Sequence, residues 1–277
     1  MDLHGAHVLL TGGSRGIGPY IARALLGKGV KGVSLIARSA DDLAKVRGSL
    51  GPDRVAVAPG DVSVEADREK MVVAAEEAFG PIDVLVNNAG VESVLPFPEF
   101  KEEEIRRVID VNLEAPIQLT RLVVPGMIER GKGHVVNMSS LSGRTGPPYH
   151  TIYASTKHGL VGFSAALRAE LRGTGVSASV ICPGYITEAG MFAEERGMEP
   201  PKKSGAWGTP RDVARAVVRA IEKDVPDINV AHGMAKLADV AFAISPRLVD
   251  AVARRTGGYK PNEETARREV ARRRGEG

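Results

Sequence analysis

A tyrosine and a lysine four residues apart, Tyr153 and Lys157, have the types and spacing for acid–base chemistry. They lie in YASTKHGLVGFSAALRAEL, whose pattern predicts a helix, and residues four apart on a helix share one face. A free tyrosine titrates at about pH 10, but a nearby cation lowers the pKa of the phenol. The pair is therefore a candidate proton donor, although a half-buried ring beside a solvated amine would show the same spacing.

Short β-branched segments alternate with helix-length segments along the chain, which is the pattern of β-α-β units around a parallel sheet. The predicted strands are HVLLT, VSLIA, VAVAP, IDVLVN, GHVVNMS, VSASVIC and DINVA. Their order predicts an α/β fold, namely a doubly wound parallel sheet of the Rossmann type with about seven strands and helices on both faces.

The composition of the 277 residues is that of an ordinary globular protein, with 43% hydrophobic and 26% charged residues. The single cysteine, Cys182, excludes an intramolecular disulfide and a cysteine-rich zinc site, and we predict no metal. The N-terminal residues lack the basic segment and apolar stretch of a signal peptide, so we expect a cytoplasmic protein.

Positive charge is concentrated at the C-terminus. Residues 254–277 hold eight Arg or Lys against four Glu, while the whole chain has a net charge of +3. Without interleaved aromatic residues, such a tail is more typical of a solvated, frayed end than of a nucleic-acid-binding surface. We therefore expect no nucleic-acid partner.

The first predicted strand runs directly into TGGSRGIG, residues 11–18. Gly12, Gly16 and Gly18 would let the backbone approach a pyrophosphate, and N–H groups at the start of the next helix would bind it. Glycines also serve ordinary turns, but the strand–turn–helix context favours dinucleotide binding. Pro19 falls in the first helical turn, where a missing N–H is tolerated.

The turn after the second strand, in SLIARSADD, indicates which dinucleotide is bound. An acidic residue would favour NAD, but Ala37 and Arg38 occupy this turn, and Arg15 lies in the glycine loop. Two guanidinium groups could hold a 2′-phosphate, although both could instead be solvated beside Asp41 and Asp42. We favour NADP (NADPH) over NAD.

These and further motifs resemble the short-chain dehydrogenase/reductase family over roughly residues 5–230. TGGSRGIG is similar to the family's cofactor loop, GDV at 60–62 to its adenine contact, and NNAG at 87–90 to the segment after its fourth strand. VNLEAP, NMSS and YASTK follow in the family's order. We predict one NADP-binding oxidoreductase domain over residues 1–232 and a helical extension with a basic tail over 233–277.

The resemblance implies a catalytic tetrad of Asn112, Ser140, Tyr153 and Lys157. NMSS offers two serines, and the family's spacing to the tyrosine selects Ser140 over Ser139. Tyr153 would protonate a carbonyl oxygen as hydride arrives, while Ser140 would steady the developing alkoxide. Lys157 would lower the pKa of the tyrosine and bind the nicotinamide ribose, and Asn112 would hold a water that links the lysine to solvent.

The same resemblance implies a set of contacts with the cofactor. They involve Gly12, Ser14, Arg15, Gly16, Ile17, Gly18, Arg38, Ser39, Asp61, Val62, Asn88, Ala89, Gly90, Tyr153, Lys157, Pro183, Gly184 and Ile186. Simpler roles stay open, since Asp61 could be a helix N-cap, Asn88 a turn former and Cys182 a small buried residue. The chain departs from the family where Glu188 occupies the expected place of a threonine, because Thr187 comes one position early.

Substrate choice is expected to depend on residues 186–208, which interrupt the alternation after the sixth strand. The apolar side chains of this segment suit a lid over a largely apolar ketone or alcohol, or simply pack the loop down. They are Met191, Phe192, Met198 and Trp207. Tyr149, Tyr185 and His150 could add to the pocket, and a surface position is favoured for His150 over a second catalytic role.

Beyond the predicted domain, residues 234–255 have helical apolar spacing but contain Lys236, Asp239 and Pro246. Their apolar runs are far shorter than the roughly 20 residues that span a bilayer, so we predict no transmembrane segment. The helix could lie on a membrane surface, but packing on the domain or on a sister subunit is favoured. We expect a homo-oligomer, either a dimer or a tetramer.

We predict an enzyme that transfers a hydride between NADP(H) and a small-molecule carbonyl or secondary alcohol, largely apolar in character. Two alternatives stay open: a regulator that binds NADP without turnover, and an epimerase or dehydratase of the extended relatives. The complete tetrad argues against the regulator. A chain of 277 residues leaves little room for the larger C-terminal domain that the extended relatives usually carry.

Overall fold

The computed structural model describes residues 1–190, 207–231 and 238–275. The described strands are β1 (His7–Thr11), β2 (Gly32–Ala37), β3 (Val55–Pro59), β4 (Val84–Asn87), β5 (Gly133–Met138), β6 (Val176–Pro183), β7 (Tyr185–Ile186), β8 (Trp207–Gly208) and β9 (Asp227–Val230). All but β7 and β8, which pair with each other, form one parallel sheet in the order β3-β2-β1-β4-β5-β6-β9. The predicted seven-stranded doubly wound sheet is confirmed.

Helices cover both faces of this sheet. The described helices are α1 (Gly18–Leu26), α2 (Ala40–Leu50), α3 (Glu65–Phe79), α4 (Glu102–Ile109), α5 (Ala115–Glu129), α6 (Thr151–Glu170), α7 (Pro210–Lys223), α8 (Ala238–Ile244), α9 (Pro246–Thr256) and α10 (Lys260–Arg274). Side chains alternate along β1, so Val8 and Leu10 join the apolar layer of α1 and α7, whereas Leu9 joins that of α3 and α5. The strand ends, and the loops that follow them, are thereby held at one edge of the sheet.

The segment 234–255 does not form the single helix that its spacing indicated. Its described part consists of α8 and α9, and residues 232–237 lie outside the described residues. Ser245 separates the two helices and caps α9 by accepting a hydrogen bond from the Leu248 amide, while Pro246 occupies the first turn. No helix in the described ranges is both long and apolar enough to cross a membrane.

The basic tail is not the solvated, frayed end that its composition indicated, because its described part continues as α10 and packs on the domain. Asn262 and Ala266 are buried. Arg273 forms ion pairs with Glu104 of α4 and with Glu269 of its own helix. At least one tail arginine therefore serves as a tertiary anchor.

Candidate active site

The glycine loop connects β1 to α1, as its residue types predict. Gly12 and Gly16 lie in the left-handed region, at φ +67° and +62°. A Cβ on Gly18 would lie 2.1 Å from the carbonyl oxygen of Gly12, so the close packing requires glycine. Pro19 stands in the first turn, and the N-cap is Ile17, which makes no side-chain capping bond. The start of α1 therefore suits an anion such as pyrophosphate.

Hydrogen bonds from the end of β4 hold the glycine loop in place. Thr11 Oγ1 accepts from the amides of Asn88 and Ala89, at 3.0 and 2.9 Å. Asn88 Nδ2 donates in turn to the carbonyl oxygens of Thr11 and Gly12, at 3.0 and 3.2 Å. Asn88 thus ties two strand ends together. Sequence reasoning missed Thr11, although a threonine as the last residue before the glycines was a usable signal.

Arg38 and Asp61 lie just beyond the carboxyl ends of β2 and β3, where the adenosine end of a dinucleotide would bind. Arg38 is exposed, and the neighbouring Ser39 caps α2 by accepting a hydrogen bond from the Asp42 amide at 3.2 Å. The N-cap of α3 is Val64 and not Asp61, whose Oδ1 accepts from the amide and hydroxyl of Ser63, at 2.9 and 2.7 Å. Partial burial opposes ionisation of Asp61, but the bonds from Ser63 and the charge of Arg38 hold its pKa below the ordinary value.

Lys157 and Tyr153 both lie in α6, and both are buried, at 3% and 6% exposure. Lys157 Nζ donates to the carbonyl oxygen of Met138 at 2.9 Å and lies 5.5 Å from the centre of the Tyr153 ring. Burial lowers the pKa of the Lys157 amine to about 8. At neutral pH most molecules therefore keep a cation beside the phenol.

Asn112 lies in a π-helical turn, Asp110–Glu114, and is fully buried. Its Oδ1 accepts from the Val91 amide and its Nδ2 donates to the Val91 carbonyl oxygen, both at 2.8 Å. A Cβ on Gly90 would lie 3.2 Å from Asn112 Oδ1 and 3.7 Å from Lys157 Nζ. The π turn, a feature frequent at functional sites, therefore brings the amide close to the lysine. The water-holding role of Asn112 stays a prediction.

The two serines of NMSS have different partners. Ser139 is buried, and its Oγ donates to the carbonyl oxygen of Lys157 at 2.8 Å. Ser140 is half-buried; its Oγ accepts from the Ser142 amide at 3.1 Å and donates to the Pro183 carbonyl oxygen at 3.4 Å. Ser139 thus supports the helix that carries the lysine, and Ser140 is the better candidate for contact with a substrate.

His150 is buried at 3% exposure, so the interpretation as a surface histidine is wrong. Its Nε2 lies 3.0 Å from Glu92 Oε1, and its ring lies 5.7 Å from the Tyr153 ring, centre to centre. The Leu95 amide also donates to the Tyr149 carbonyl oxygen, at 3.0 Å, so the segment after β4 is bound to the start of α6. Sequence reasoning missed Glu92, since no local pattern links it to a histidine so far along the chain.

The predicted nicotinamide contacts lie where β6 ends and the β7–β8 ribbon begins. Pro183 is the last residue of β6, and the Gly184 amide donates to the Val230 carbonyl oxygen at 3.0 Å. Ile186 is buried in β7. Cys182, just before them, is fully buried, and burial raises the pKa of its thiol to about 11, which confirms a small buried residue.

Thr187 and Glu188, where the chain departs from the family pattern, follow β7. Thr187 donates to the Gly208 carbonyl oxygen through its amide at 3.0 Å and through its hydroxyl at 3.3 Å. Glu188 is exposed at φ +70°, a conformation that residues with side chains rarely adopt. Among the predicted lid residues, Trp207 is half-buried in β8. Those outside the described residues are Met191, Phe192 and Met198.

The C-terminal helix α10 also reaches this region. Asn262 is 0% exposed; its Oδ1 accepts from the Tyr185 hydroxyl at 3.4 Å, and its Nδ2 lies 3.5 Å from the Pro148 carbonyl oxygen. Pro148 lies in the turn that leads to His150 and Tyr153. A residue far outside the sequence motifs therefore contacts two segments beside the tyrosine.

The glycine loop, Tyr153 and Lys157 all lie in a part of the sequence that matches a known family. A family model for short chain dehydrogenases matches residues 6–200. The chain belongs to the short-chain dehydrogenase/reductase family. The ketoacyl reductase HetN of Nostoc sp. (strain PCC 7120) is 40% identical over 276 residues, which are 97% of this chain and 95% of that protein.

Two solved structures of ketoreductases are similar to this chain. A variant of actinorhodin polyketide ketoreductase with NADPH has a TM-score of 0.75 and 30% identity, and the match covers 83% of this chain and 97% of that one. A 3-ketoacyl-(acyl-carrier-protein) reductase from Brucella melitensis, complexed with NADH, has a TM-score of 0.76 and 26% identity over 84% of this chain and 99% of that one.

As a member of the short-chain dehydrogenase/reductase family, the protein is an oxidoreductase that uses a nicotinamide cofactor. The residues of the site fit such a group. Gly12 and Gly16 adopt the backbone conformation of a pyrophosphate loop, and the missing side chain of Gly90 keeps space beside Lys157. The lysine amine is held nearby by its hydrogen bond to the Met138 carbonyl oxygen.

Proposed function

We propose that this protein reduces the ketone of a ketoacyl substrate to a secondary alcohol with NADPH as the reductant. The observation that carries the proposal is the buried Tyr153–Lys157 pair, in which a constrained cation lies 5.5 Å from the phenol ring. Support for the substrate class comes from the ketoacyl reductase HetN and from the two ketoreductase structures. The apolar character expected of the substrate agrees with an acyl chain.

The preference for NADPH is supported by the positive charge around the adenosine end. Arg15 in the glycine loop and Arg38 after β2 are both exposed, and guanidinium groups bind phosphate through charge-assisted, bidentate hydrogen bonds. Asp42, which could oppose them, is paired with Lys45 at 3.0 Å. The turn itself carries no carboxylate where NAD would need one for its ribose hydroxyls.

In the proposed reaction, the Tyr153 hydroxyl donates its proton to the ketone oxygen while the carbonyl carbon is reduced. Bound NADPH would supply the hydride. Ser140 Oγ would donate to the same oxygen, because its bond to the Pro183 carbonyl is long at 3.4 Å and easily exchanged. Lys157 keeps a positive charge near the phenol, which favours loss of the phenolic proton.

The proposal is tested by following NADPH oxidation with acetoacetyl and longer 3-ketoacyl thioesters, with Tyr153→Phe as the matched variant. Wild type should consume NADPH, and the variant should lose at least about two orders of magnitude in kcat while its dissociation constant for NADPH stays nearly unchanged. Binding of NADPH without turnover of any ketoacyl thioester would instead support a non-catalytic regulator. Near-normal turnover by Tyr153→Phe would contradict the mechanism.

A further inference from the structure

The helices α8 and α9 carry a series of exposed apolar side chains. Val240 and Ile244 lie one turn apart on α8, Leu248 and Val252 lie one turn apart on α9, and the four side chains are 54%, 80%, 62% and 52% exposed. They are four of the nine large apolar side chains exposed in the described part of the chain, and the other five are scattered between residues 64 and 128. Single exposed apolar residues are ordinary, but such a cluster indicates an interaction surface. We call these four residues the apolar row.

The charged side chains described on the same two helices are mainly basic. Arg247, Arg254 and Arg255 are exposed, and Asp250 is bonded to Arg254 at 2.9 Å. Arg247 precedes Leu248 directly, and Arg254 and Arg255 follow Val252 closely in the chain. Helix α9 therefore exposes arginines as well as the apolar side chains of Leu248 and Val252.

We propose that the apolar row binds this protein to the surface of an anionic lipid bilayer. Aliphatic side chains on a helix face enter the boundary between lipid headgroups and acyl chains, and basic residues beside them attract anionic lipids. Guanidinium groups are suited to lipid phosphates because they donate bidentate hydrogen bonds. Both components of such a surface are present on α8 and α9.

A second copy of this chain fits the same surface less well. In a two-fold dimer the same patch packs against itself, so the exposed arginines of both copies would be brought into one interface. The described carboxylate between them, Asp250, is already engaged by Arg254. An anionic bilayer offers the opposite charge over the whole patch, and charge complementarity therefore favours lipid.

The helices of the apolar row are also linked through the chain to the candidate site. Helix α10 follows α9 after a short turn, and its buried Asn262 bonds to the Tyr185 hydroxyl at 3.4 Å. Contact with a bilayer would therefore keep the enzyme beside a source of lipophilic ketones. The proposed binding to the bilayer does not depend on which ketone the protein reduces.

The test is flotation of the full chain with vesicles of phosphatidylcholine alone or of phosphatidylcholine mixed with phosphatidylglycerol. Wild type should float with the anionic vesicles, float poorly with the neutral ones, and be released as the salt concentration rises. The double variant Ile244→Asp/Leu248→Asp should lose at least about tenfold in vesicle partitioning, because both side chains would otherwise enter the bilayer.

The matched control is Val73→Asp/Ile128→Asp, which changes two apolar residues of 55% and 42% exposure on α3 and α5. It should float like wild type, and the melting temperature and NADPH binding of both double variants should show that they remain folded. Absence of wild-type flotation with anionic vesicles, or equal loss in both double variants, would overturn the proposal. A concentration-dependent oligomer that Ile244→Asp/Leu248→Asp dissociates, without vesicle binding by wild type, would assign the apolar row to self-association instead.

Discussion

Glu92 Oε1 and His150 Nε2 lie 3.0 Å apart, and both side chains are largely shielded from water. Glu92 belongs to the segment after β4, which also carries Gly90 and Val91, whereas His150 immediately precedes the helix of Tyr153. The pair therefore joins the segment that carries Gly90, a proposed cofactor contact, to the helix that carries Tyr153, the proposed proton donor. The contact of the imidazole with the Tyr153 ring, at 5.7 Å between centres, makes His150 a candidate positioning residue for the phenol.

We expect His150→Ala to lower kcat by about tenfold without a comparable change in NADPH affinity, because the Tyr153 ring would lose a packing partner and its defined orientation. Glu92→Gln keeps a hydrogen-bonding oxygen and should have a smaller effect. Measurement of kcat, KM and the NADPH dissociation constant separates positioning from general destabilisation. His158→Ala, on an exposed face of the same helix, is the control. Equal kinetics for both alanine variants would contradict the positioning role.

The two serines after β5 should respond differently to substitution. Ser140→Ala should lower kcat by at least about a hundredfold, because it removes a donor to the developing alkoxide. Ser139→Ala should change kcat much less and instead lower the free energy of unfolding by about 1 kcal/mol, since Ser139 bonds to the Lys157 carbonyl oxygen. Steady-state kinetics and urea unfolding of both variants check this. The reverse ranking in kcat would show that Ser139 is the substrate-binding serine.

Arg38→Asp should shift the cofactor preference from NADPH toward NADH. The aspartate would repel a 2′-phosphate and could accept hydrogen bonds from the ribose hydroxyls of NADH. Loss of the charged contact should weaken NADPH binding by about 1.5 to 3 kcal/mol, or roughly ten- to a hundredfold in affinity. Arg15 would retain part of the preference.

Dissociation constants for both cofactors, measured at one ionic strength on wild type and variant, test the role of Arg38. Arg47→Asp is the matched control, since Arg47 is an exposed arginine on α2 at a distance from the turn. It should leave the ratio of affinities unchanged. A wild type that already prefers NADH, or the same ratio before and after Arg38→Asp, would remove Arg38 from cofactor selection.

Lys157 should make the stability of the cofactor-free protein depend on pH in the alkaline range. Burial lowers its pKa from 10.5 in the unfolded chain to about 8 in the folded protein, so the unfolded chain binds the proton more tightly. The free energy of unfolding, measured relative to Lys157→Met, should therefore rise between about pH 8 and pH 10.5, by on the order of 3 kcal/mol in full. Urea unfolding of both proteins across this range provides the measurement, and parallel pH profiles would contradict the lowered pKa.

The sequence by itself determined the features of this protein that depend on neighbouring residues. Each strand of the sheet is a short β-branched run with its own turn signals, so all seven could be predicted one at a time. Gly12 and Gly16 follow the first strand, and Tyr153 and Lys157 share one helix. Their placement could therefore be predicted from the strand and helix patterns of the neighbouring sequence. The π-helical turn around Asn112 has no comparable pattern in the sequence and was not predicted.

Only the tertiary structure decided which polar side chains are buried, because burial depends on partners that are distant in the chain. Nothing near His150 indicates that Glu92 will meet it, and nothing in the basic tail indicates that Asn262 will bond to Tyr185 or that Arg273 will pair with Glu104. A buried polar group is stable only where the fold supplies its partner, and local patterns do not contain that information. The physical reason is that the helical repeat of a sequence determines which side chains share one face, whereas the packing of the whole chain determines which residues that face contacts.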